Sequence, residues 1–286
     1  MKTVVITGAT SGIGLAAARC LLKKGYRVIC LGHNRENCVK AELSLKAEGI
    51  GAEVLFFRAD LMQQGEVNRV ADLLCGYIEK NCEGKLYALI NNAGCVRSRY
   101  TTTQEGYEQQ FALNYLAGFL LTFRLLKFLV RAGGRVIMTG SRSHRGIGVH
   151  WKDIMLKDGY NPLTAYKQSK LCGYLFAKAL NDRYSQCGLR AYAVDPGLVR
   201  TDIGNKQTGT LVNLIWLMRK RHGAEPEVPA ETYGFVCEEV SPPAGLCYRD
   251  SRECGCGRQV TSKNADALFE LSEKLCGIKY PGAGEI

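Results

Sequence analysis

Strand-like and helix-like segments alternate from the first residues of this 286-residue chain, and that alternation limits the fold more than any other feature. Thr3 to Thr7 is short, apolar and β-branched, and Leu15 to Lys24 has helical spacing and stops at Gly25. Strand patterns recur at Arg27 to Leu31, Glu53 to Ala59, Leu86 to Asn91, Arg135 to Thr139 and Leu189 to Val194. Helical patterns separate them at Glu36 to Glu48, Val67 to Lys80, Tyr107 to Ala132 and Thr164 to Gln186. Parallel strands need crossover connections, and right-handed crossovers put helices on both faces of the sheet. The expected fold class is therefore α/β, a doubly wound parallel sheet in a single domain spanning residues 1–286. Ligands of such sheets sit beyond the carboxyl ends of the strands, where strand order reverses.

The first strand runs into Thr7-Gly8-Ala9-Thr10-Ser11-Gly12-Ile13-Gly14 and then a helix. Gly8, Gly12 and Gly14 have no Cβ, so the chain can turn tightly and a pyrophosphate can approach the backbone. The helix start then presents free N–H groups to that anion. Gly8, Thr10, Ser11, Gly12, Ile13 and Gly14 are thus expected to bind a dinucleotide, in a Rossmann-type arrangement. A nucleoside-triphosphate loop is disfavoured, because no Gly-Lys-Ser/Thr follows. The second strand ends in Leu31-Gly32-His33-Asn34-Arg35, with no acid before Glu36. His33 and Arg35 would supply positive charge to a ribose 2′-phosphate, with Asn34 as a polar contact, so NADP(H) is preferred and NAD(H) is the alternative. The competing reading leaves His33 and Arg35 as solvated loop residues. Asp60 and Leu61 end the third strand, where a carboxylate would accept a hydrogen bond from the adenine amino group. Asn91-Asn92-Ala93-Gly94 ends the fourth: its amides would hold neighbouring backbone, and Gly94 would let the cofactor pass close.

Tyr166 and Lys170 stand at i and i+4 of one helical pattern, so their side chains share a face. An ammonium beside a phenol lowers its pKa from near 10, and Tyr166 would then pass a proton to a carbonyl as hydride arrives. Ser141 follows the fifth strand and would hydrogen-bond the substrate oxygen, with Ser143 as its competitor. Asn114, a polar amide in an apolar helical stretch, would hold a water that links Lys170 to solvent.

The glycine loop, Asn91-Asn92-Ala93-Gly94, Asn114, Ser141, Tyr166-x-x-x-Lys170 and Pro196-Gly197 together resemble the short-chain dehydrogenases/reductases over nearly the whole chain. The resemblance implies a catalytic tetrad of Asn114, Ser141, Tyr166 and Lys170, with Tyr166 and Lys170 also touching the cofactor. Pro196, Gly197 and Val199 are likewise placed at the cofactor, and Thr201 at the nicotinamide carboxamide. The stretch Asn114 to Thr122, the long Ser141-to-Tyr166 spacing and the ending Leu268 to Leu275 resemble the retinol dehydrogenase and WW-domain oxidoreductase branch. His33 stands where an Arg is common among NADP users of the family. The activity implied is hydride transfer between nicotinamide and a carbonyl or a secondary or primary alcohol. A non-catalytic dinucleotide sensor or scaffold is the rival reading.

The substrate lid implied by the family falls at about residues 204–224, and a strand–helix extension at about 245–280. Leu211, Leu214, Ile215, Trp216 and Met218 would cover a lipophilic substrate, pack as a core helix, or join Arg219-Lys220-Arg221 as a weak membrane-surface contact. Arg142 to Leu163, with His144, His150 and Trp151, would form another wall, the histidines being structural or substrate-facing. A homodimer through the helices of Asn114 and Tyr166 is also implied. The net charge of +11 favours anionic partners, phosphate-bearing cofactors among them. Without a basic stripe interleaved with aromatics, nucleic acid is not expected. No run of about 20 apolar residues suggests a bilayer-spanning helix. Met1-Lys2 leads straight into the first strand without a secretory pattern, so a cytoplasmic location is expected. The 13 cysteines are odd in number and dispersed, which argues for reduced thiols. Cys247, Cys254 and Cys256 form the tightest group and read as surface-loop cysteines, with no metal site expected.

Overall fold

The computed structural model describes residues 1–49, 53–200, 223–238 and 244–286. Strands and helices alternate as β1 (Thr3–Thr7), α1 (Gly12–Lys23), β2 (Arg27–Gly32), α2 (Arg35–Ala47), β3 (Val54–Arg58), α3 (Gln64–Asn81) and β4 (Ala88–Asn91). The chain continues through α4 (Gln109–Arg131), β5 (Arg135–Thr139), α5 (Pro162–Tyr184) and β6 (Arg190–Val194). It closes with α6 (Glu227–Val236), β7 (Cys247–Arg249), β8 (Arg252–Glu253) and α7 (Ser262–Cys276). The eight strands form one sheet in the order β3-β2-β1-β4-β5-β6-β7-β8. Every pair is parallel except the β7–β8 hairpin. Strand order reverses between β1 and β4, which opens the ligand cleft above their carboxyl ends.

β1 and β4 are buried along their whole length, as strands covered on both faces must be. One face packs on α3, α4, α5 and α7, where Phe119, Phe176 and Phe269 meet. The other packs on α1, α2 and α6 through Leu21, Leu45 and Tyr233. Among the described residues, α4 alone bears on the expectation about membrane spans. By length and composition it is apolar enough to cross a bilayer, although Asn114, Arg124 and Lys127 break its apolar run. Its most apolar window is 72% buried, with the exposed Lys127 and Arg131 on its outer side, so it packs as an amphipathic core helix.

The expected α/β sheet is present. Helix starts move: α1 begins at Gly12 rather than Leu15, because glycines of the first turn carry no apolar period. α6 was not anticipated, since Pro229 and Gly234 read as breakers. Pro229 sits in the first turn, where its missing N–H costs nothing. A Cβ on Gly234 would lie 2.8 Å from Lys24 Cε and 3.1 Å from Cys20 Sγ, so glycine lets α6 settle on α1. The expected lid and the apolar stretch Leu211 to Met218 lie outside the described residues, as does Thr201.

Candidate active site

The loop after β1 turns through Gly8 at φ +67° and Gly12 at φ +54°, backbone that favours glycine. Gly14 is fixed by packing: a Cβ there would collide with the Gly8 carbonyl and lie 2.6 Å from Asn92 Nδ2. Ser11 precedes α1 in extended conformation without capping it, and no acid stands in the first turn. The α1 amides and the positive end of its dipole are therefore left for an anion. The half-buried Thr10 and Ile13 flank this turn. Thr7 Oγ1 accepts the backbone N–H groups of Asn92 and Ala93, each at 2.9 Å. Asn92 Nδ2 returns bonds to the carbonyls of Thr7 (3.0 Å) and Gly8 (3.2 Å). Asn92 thus clamps the ends of β1 and β4 and holds the loop in shape.

The ends of β2 and β3 are more open. His33 has 73% of its side chain exposed, with Nδ1 3.5 Å from Asp60 Oδ1. Asp60 also accepts the Met62 N–H at 3.2 Å, and Leu61 is buried beside it. Asn34 caps α2, its Oδ1 accepting the Asn37 N–H at 3.0 Å, while Arg35 is exposed in the first turn. Arg58, missed in the sequence, is a third cation here. It pairs in register with Gly32, donates from Nε to the His33 carbonyl at 3.2 Å and meets Glu66 at 3.2 Å. Its signal was available: in a parallel sheet the ends of β2 and β3 are neighbours.

Asn161 starts α5 by accepting the N–H groups of Leu163 (3.0 Å) and Thr164 (3.1 Å), with Pro162 at the first helical position. This start aims Tyr166 and Lys170 into the cleft. Lys170 is buried; its Nζ donates to the Thr139 carbonyl at 2.9 Å and lies 5.7 Å from the Tyr166 ring centroid. Burial pushes its pKa down to about 8, against the opposing pull of Cys95 and Asp195. Asn114 sits in a π-helical turn, Ala112–Leu116, of the kind often found at functional sites. Its Oδ1 accepts the Cys95 N–H at 2.7 Å. Its Nδ2 donates to the Cys95 carbonyl (3.0 Å) and to Ser169 Oγ (2.9 Å). Both amide hydrogens are committed, and one Oδ1 lone pair remains for a water. A Cβ on Gly94 would lie 3.1 Å from Asn114 Oδ1 and 3.7 Å from Lys170 Nζ, so glycine keeps the cleft floor open.

Ser141 follows β5 and begins a short 3₁₀ turn, Arg142–His144. Ser143 Oγ donates to Ser141 Oγ at 2.9 Å, so the expected competitor is instead a partner. His144 is buried beneath them: its Nδ1 lies 2.7 Å from the Ser141 carbonyl, and its Nε2 accepts the Gly257 N–H at 2.9 Å. Those partners assign the neutral tautomer protonated at Nδ1, and burial lowers its pKa accordingly. Its ring stacks on Tyr174 with centroids 3.8 Å apart. His144 is thus structural, whereas His150 and Trp151 are exposed. After β6, the buried Asp195 accepts the Gly197 N–H at 3.0 Å, and Gly197 turns at φ +71° between the half-buried Pro196 and Val199. The structure therefore gathers the glycine loop, Gly94, Asn114, Ser141, Tyr166 and Lys170 at the reversal point of the sheet.

The short chain dehydrogenase family model matches residues 2–211. The chain is 32% identical to Retinol dehydrogenase 13 of Homo sapiens, covering 99% of this chain and 87% of that protein. A solved structure of an uncharacterized protein from Mycobacterium paratuberculosis superposes with a TM-score of 0.74 at 26% identity, covering 98% of this chain and 95% of its own. A short-chain dehydrogenase from Sphingobium yanoikuyae in complex with NADPH superposes with a TM-score of 0.65 at 22% identity, covering 97% and 96%. The family model, the sheet topology and the near full-length similarity agree: the chain belongs to the short-chain dehydrogenase/reductase family, oxidoreductases of alcohols and carbonyls that use a nicotinamide dinucleotide, on the branch that includes the retinol dehydrogenases.

Proposed function

We propose that this enzyme prefers NADP(H) and interconverts a lipophilic carbonyl and its primary or secondary alcohol, with Tyr166 as general acid and base. The observation that carries this reading is the buried Lys170, whose Nζ lies 5.7 Å from the Tyr166 ring centroid above the open floor at Gly94. The residues present fit a dinucleotide. Gly8, Gly12 and Gly14 form a cradle that side chains would fill, and α1 offers uncapped amides. Thr10, Ser11 and Ile13 line that cradle; Asp60 and Leu61 would hold the adenine, and Ala93, Gly94, Pro196, Gly197 and Val199 the nicotinamide. When bound, the dinucleotide donates or accepts the hydride.

The chain's own residues do the rest. Ser141 Oγ, receiving the Ser143 hydrogen bond, directs its own hydrogen at the substrate oxygen. Tyr166 gives that oxygen its proton in reduction and removes it in oxidation. Lys170 holds the phenol towards its ionised form, and Asn114 retains the lone pair that fixes a relay water. His33, Arg35 and Arg58 supply positive charge for a 2′-phosphate. A relative named for retinol, a lipophilic primary alcohol, supports the substrate class. The non-catalytic alternative has no need of a buried lysine at this cost.

We further read the protein as cytoplasmic, without nucleic-acid partners and with at most weak membrane-surface contact. A homodimer through α4 and α5 would meet α7, which already lies across both: Phe269 packs on Phe119 and Phe176, and Arg183 pairs with Asp266 at 2.5 Å. A monomer mass in light scattering would remove the dimer. Titration of nicotinamide fluorescence with NADPH and NADH tests the cofactor. Tighter NADPH binding is expected, equal or tighter NADH binding overturns the preference, and binding of neither overturns the enzyme reading.

A further inference from the structure

The β7–β8 hairpin brings Cys247, Cys254 and Cys256 together; Cys247 lies in β7 and is buried, which corrects its reading as a surface-loop cysteine, while Cys254 and Cys256 follow β8 as half-exposed loop residues. Tyr248 pairs with Glu253 and Arg249 with Arg252, which sets Cys247 directly opposite Cys254. Asp250 and Ser251 close the hairpin at φ 50° and 56°, the two left-handed positions of a tight turn. The Cys254 N–H donates to the Cys247 carbonyl at 2.8 Å, and their sulfurs lie 2.7 Å apart. Opposed residues of this kind have Cα atoms about 5.5 Å apart, within the span of a disulfide. Cys256 follows two residues after Cys254 and interacts with the same Cys247 thiol. Cys247 is buried, while Cys254 and Cys256 are half-exposed. The Cys247 S–H holds the Cys256 thiol below its ordinary pKa, and burial together with that contact pushes Cys247 up. Cys256 is therefore the more readily ionised of the two reachable thiols, and Cys247 the sulfur between two partners. Among the described residues no group of three His, Cys, Asp or Glu side chains is placed to hold a metal ion.

We propose that these cysteines form a peroxide-oxidisable thiol site in which Cys247 closes a reversible disulfide with a hairpin neighbour. The Cys256 thiolate attacks hydrogen peroxide: an S–O bond forms, the O–O bond breaks, and hydroxide leaves to become water. The Cys247 thiol then attacks the sulfenic sulfur: an S–S bond forms, the S–O bond breaks, and a second water carries off the Cys247 proton. Two thiols lose two electrons to one peroxide. Cys254, in contact with Cys247, can exchange into the bond.

The site stands directly behind Ser141. Gly257, next to Cys256, donates its N–H to His144, which bonds the Ser141 carbonyl. The Cys247 sulfur lies 3.7 Å from Tyr174 Oη. Tyr174 in turn packs so closely on Gly140 that a Cβ there would lie 2.5 Å from its hydroxyl. Oxidation removes the Cys247 S–H and draws in the hairpin that positions His144. The effect on turnover rests on the catalytic role proposed for Ser141; the thiol chemistry does not.

The test treats the reduced full-length protein with hydrogen peroxide, blocks remaining thiols and maps peptides without reductant. A disulfide from Cys247 to Cys254 or Cys256 is expected before the half-exposed Cys75, Cys187 and Cys276 react, and dithiothreitol reverses it. In Cys247→Ala, Cys256 is expected to stop at the sulfenic acid, trapped by dimedone. Earlier modification of the other three cysteines, or a hairpin disulfide forming equally fast in urea, overturns the site. In mapped, oxidised protein, turnover is expected to fall about tenfold with NADPH affinity kept, because small displacements of a reacting group are costly. Unchanged turnover overturns the link to Ser141. The map needs no turnover, so it decides the thiol site even for a protein inactive on the substrates tried.

Discussion

The two ends of the dinucleotide cleft are built on different physical terms. At the end that holds Asn114, Ser141 and Lys170 the polar groups are buried or half-buried and committed. Asn114 clamps both backbone groups of Cys95, Lys170 is fixed to the Thr139 carbonyl, and Ser141 is held by Ser143 from one side and His144 from the other. At the ends of β2 and β3, His33 and Arg58 have 73% and 52% of their side chains in solvent. A buried network fixes geometry, and its members fail together. Exposed charges contribute little each and are screened by salt. The chemistry should therefore be hard to alter by small steps and the cofactor preference easy.

Lys170 gives the largest contrast. Lys170→Met is expected to lower turnover about a hundredfold or more, the scale of lost acid–base catalysis, in single-turnover measurements. Turnover of the wild type should fall as pH rises through about 8, where the ammonium loses its proton. Stability runs the other way. The folded pKa lies below the ordinary 10.5, so the unfolded chain binds more protons between the two values and stability rises with pH there. Denaturant titration of the cofactor-free protein should show that rise, and Lys170→Met should lack it.

Ser141→Ala should cost about a hundredfold in turnover, as for loss of an oxyanion donor, and Ser143→Ala about tenfold with the same substrate KM. Equal losses would mean that Ser143 itself meets the substrate. At the other end, Asn34→Ala should cost about 1 kcal/mol of stability, read by thermal melts, because it removes the α2 cap. The smallest effect should come from Arg58→Gln: a severalfold loss of NADPH affinity that fades at high salt, with NADH affinity unchanged. A loss that persists at high salt would place Arg58 in a buried bidentate contact and erase the contrast between the two ends.

The same contrast governs what the sequence disclosed. The glycine loop and Tyr166–Lys170 were legible because steric need and helical spacing are local. Asn114 was legible as a polar residue in an apolar helix, but the π turn that aims it was not, since no residue type marks an extra residue per turn. Arg58 and the Ser143–Ser141 bond depend on which strand ends and turns become neighbours. α6 was hidden because Pro229 and Gly234 are tolerated through a helix start and a close helix contact. The cysteine cluster needed the register of β7 and β8, which three short strand residues do not announce.

The central claim, proton transfer by Tyr166 in a cleft assembled to receive NADP(H), is tested most directly by one comparison. NADPH-dependent reduction of a long-chain aldehyde would be followed for wild type and Tyr166→Phe, each with its NADPH affinity measured in the same preparation. The account predicts that turnover falls about a thousandfold in Tyr166→Phe while NADPH affinity stays within about twofold. Comparable turnover in the two proteins would contradict it, because the proton would then come from another group.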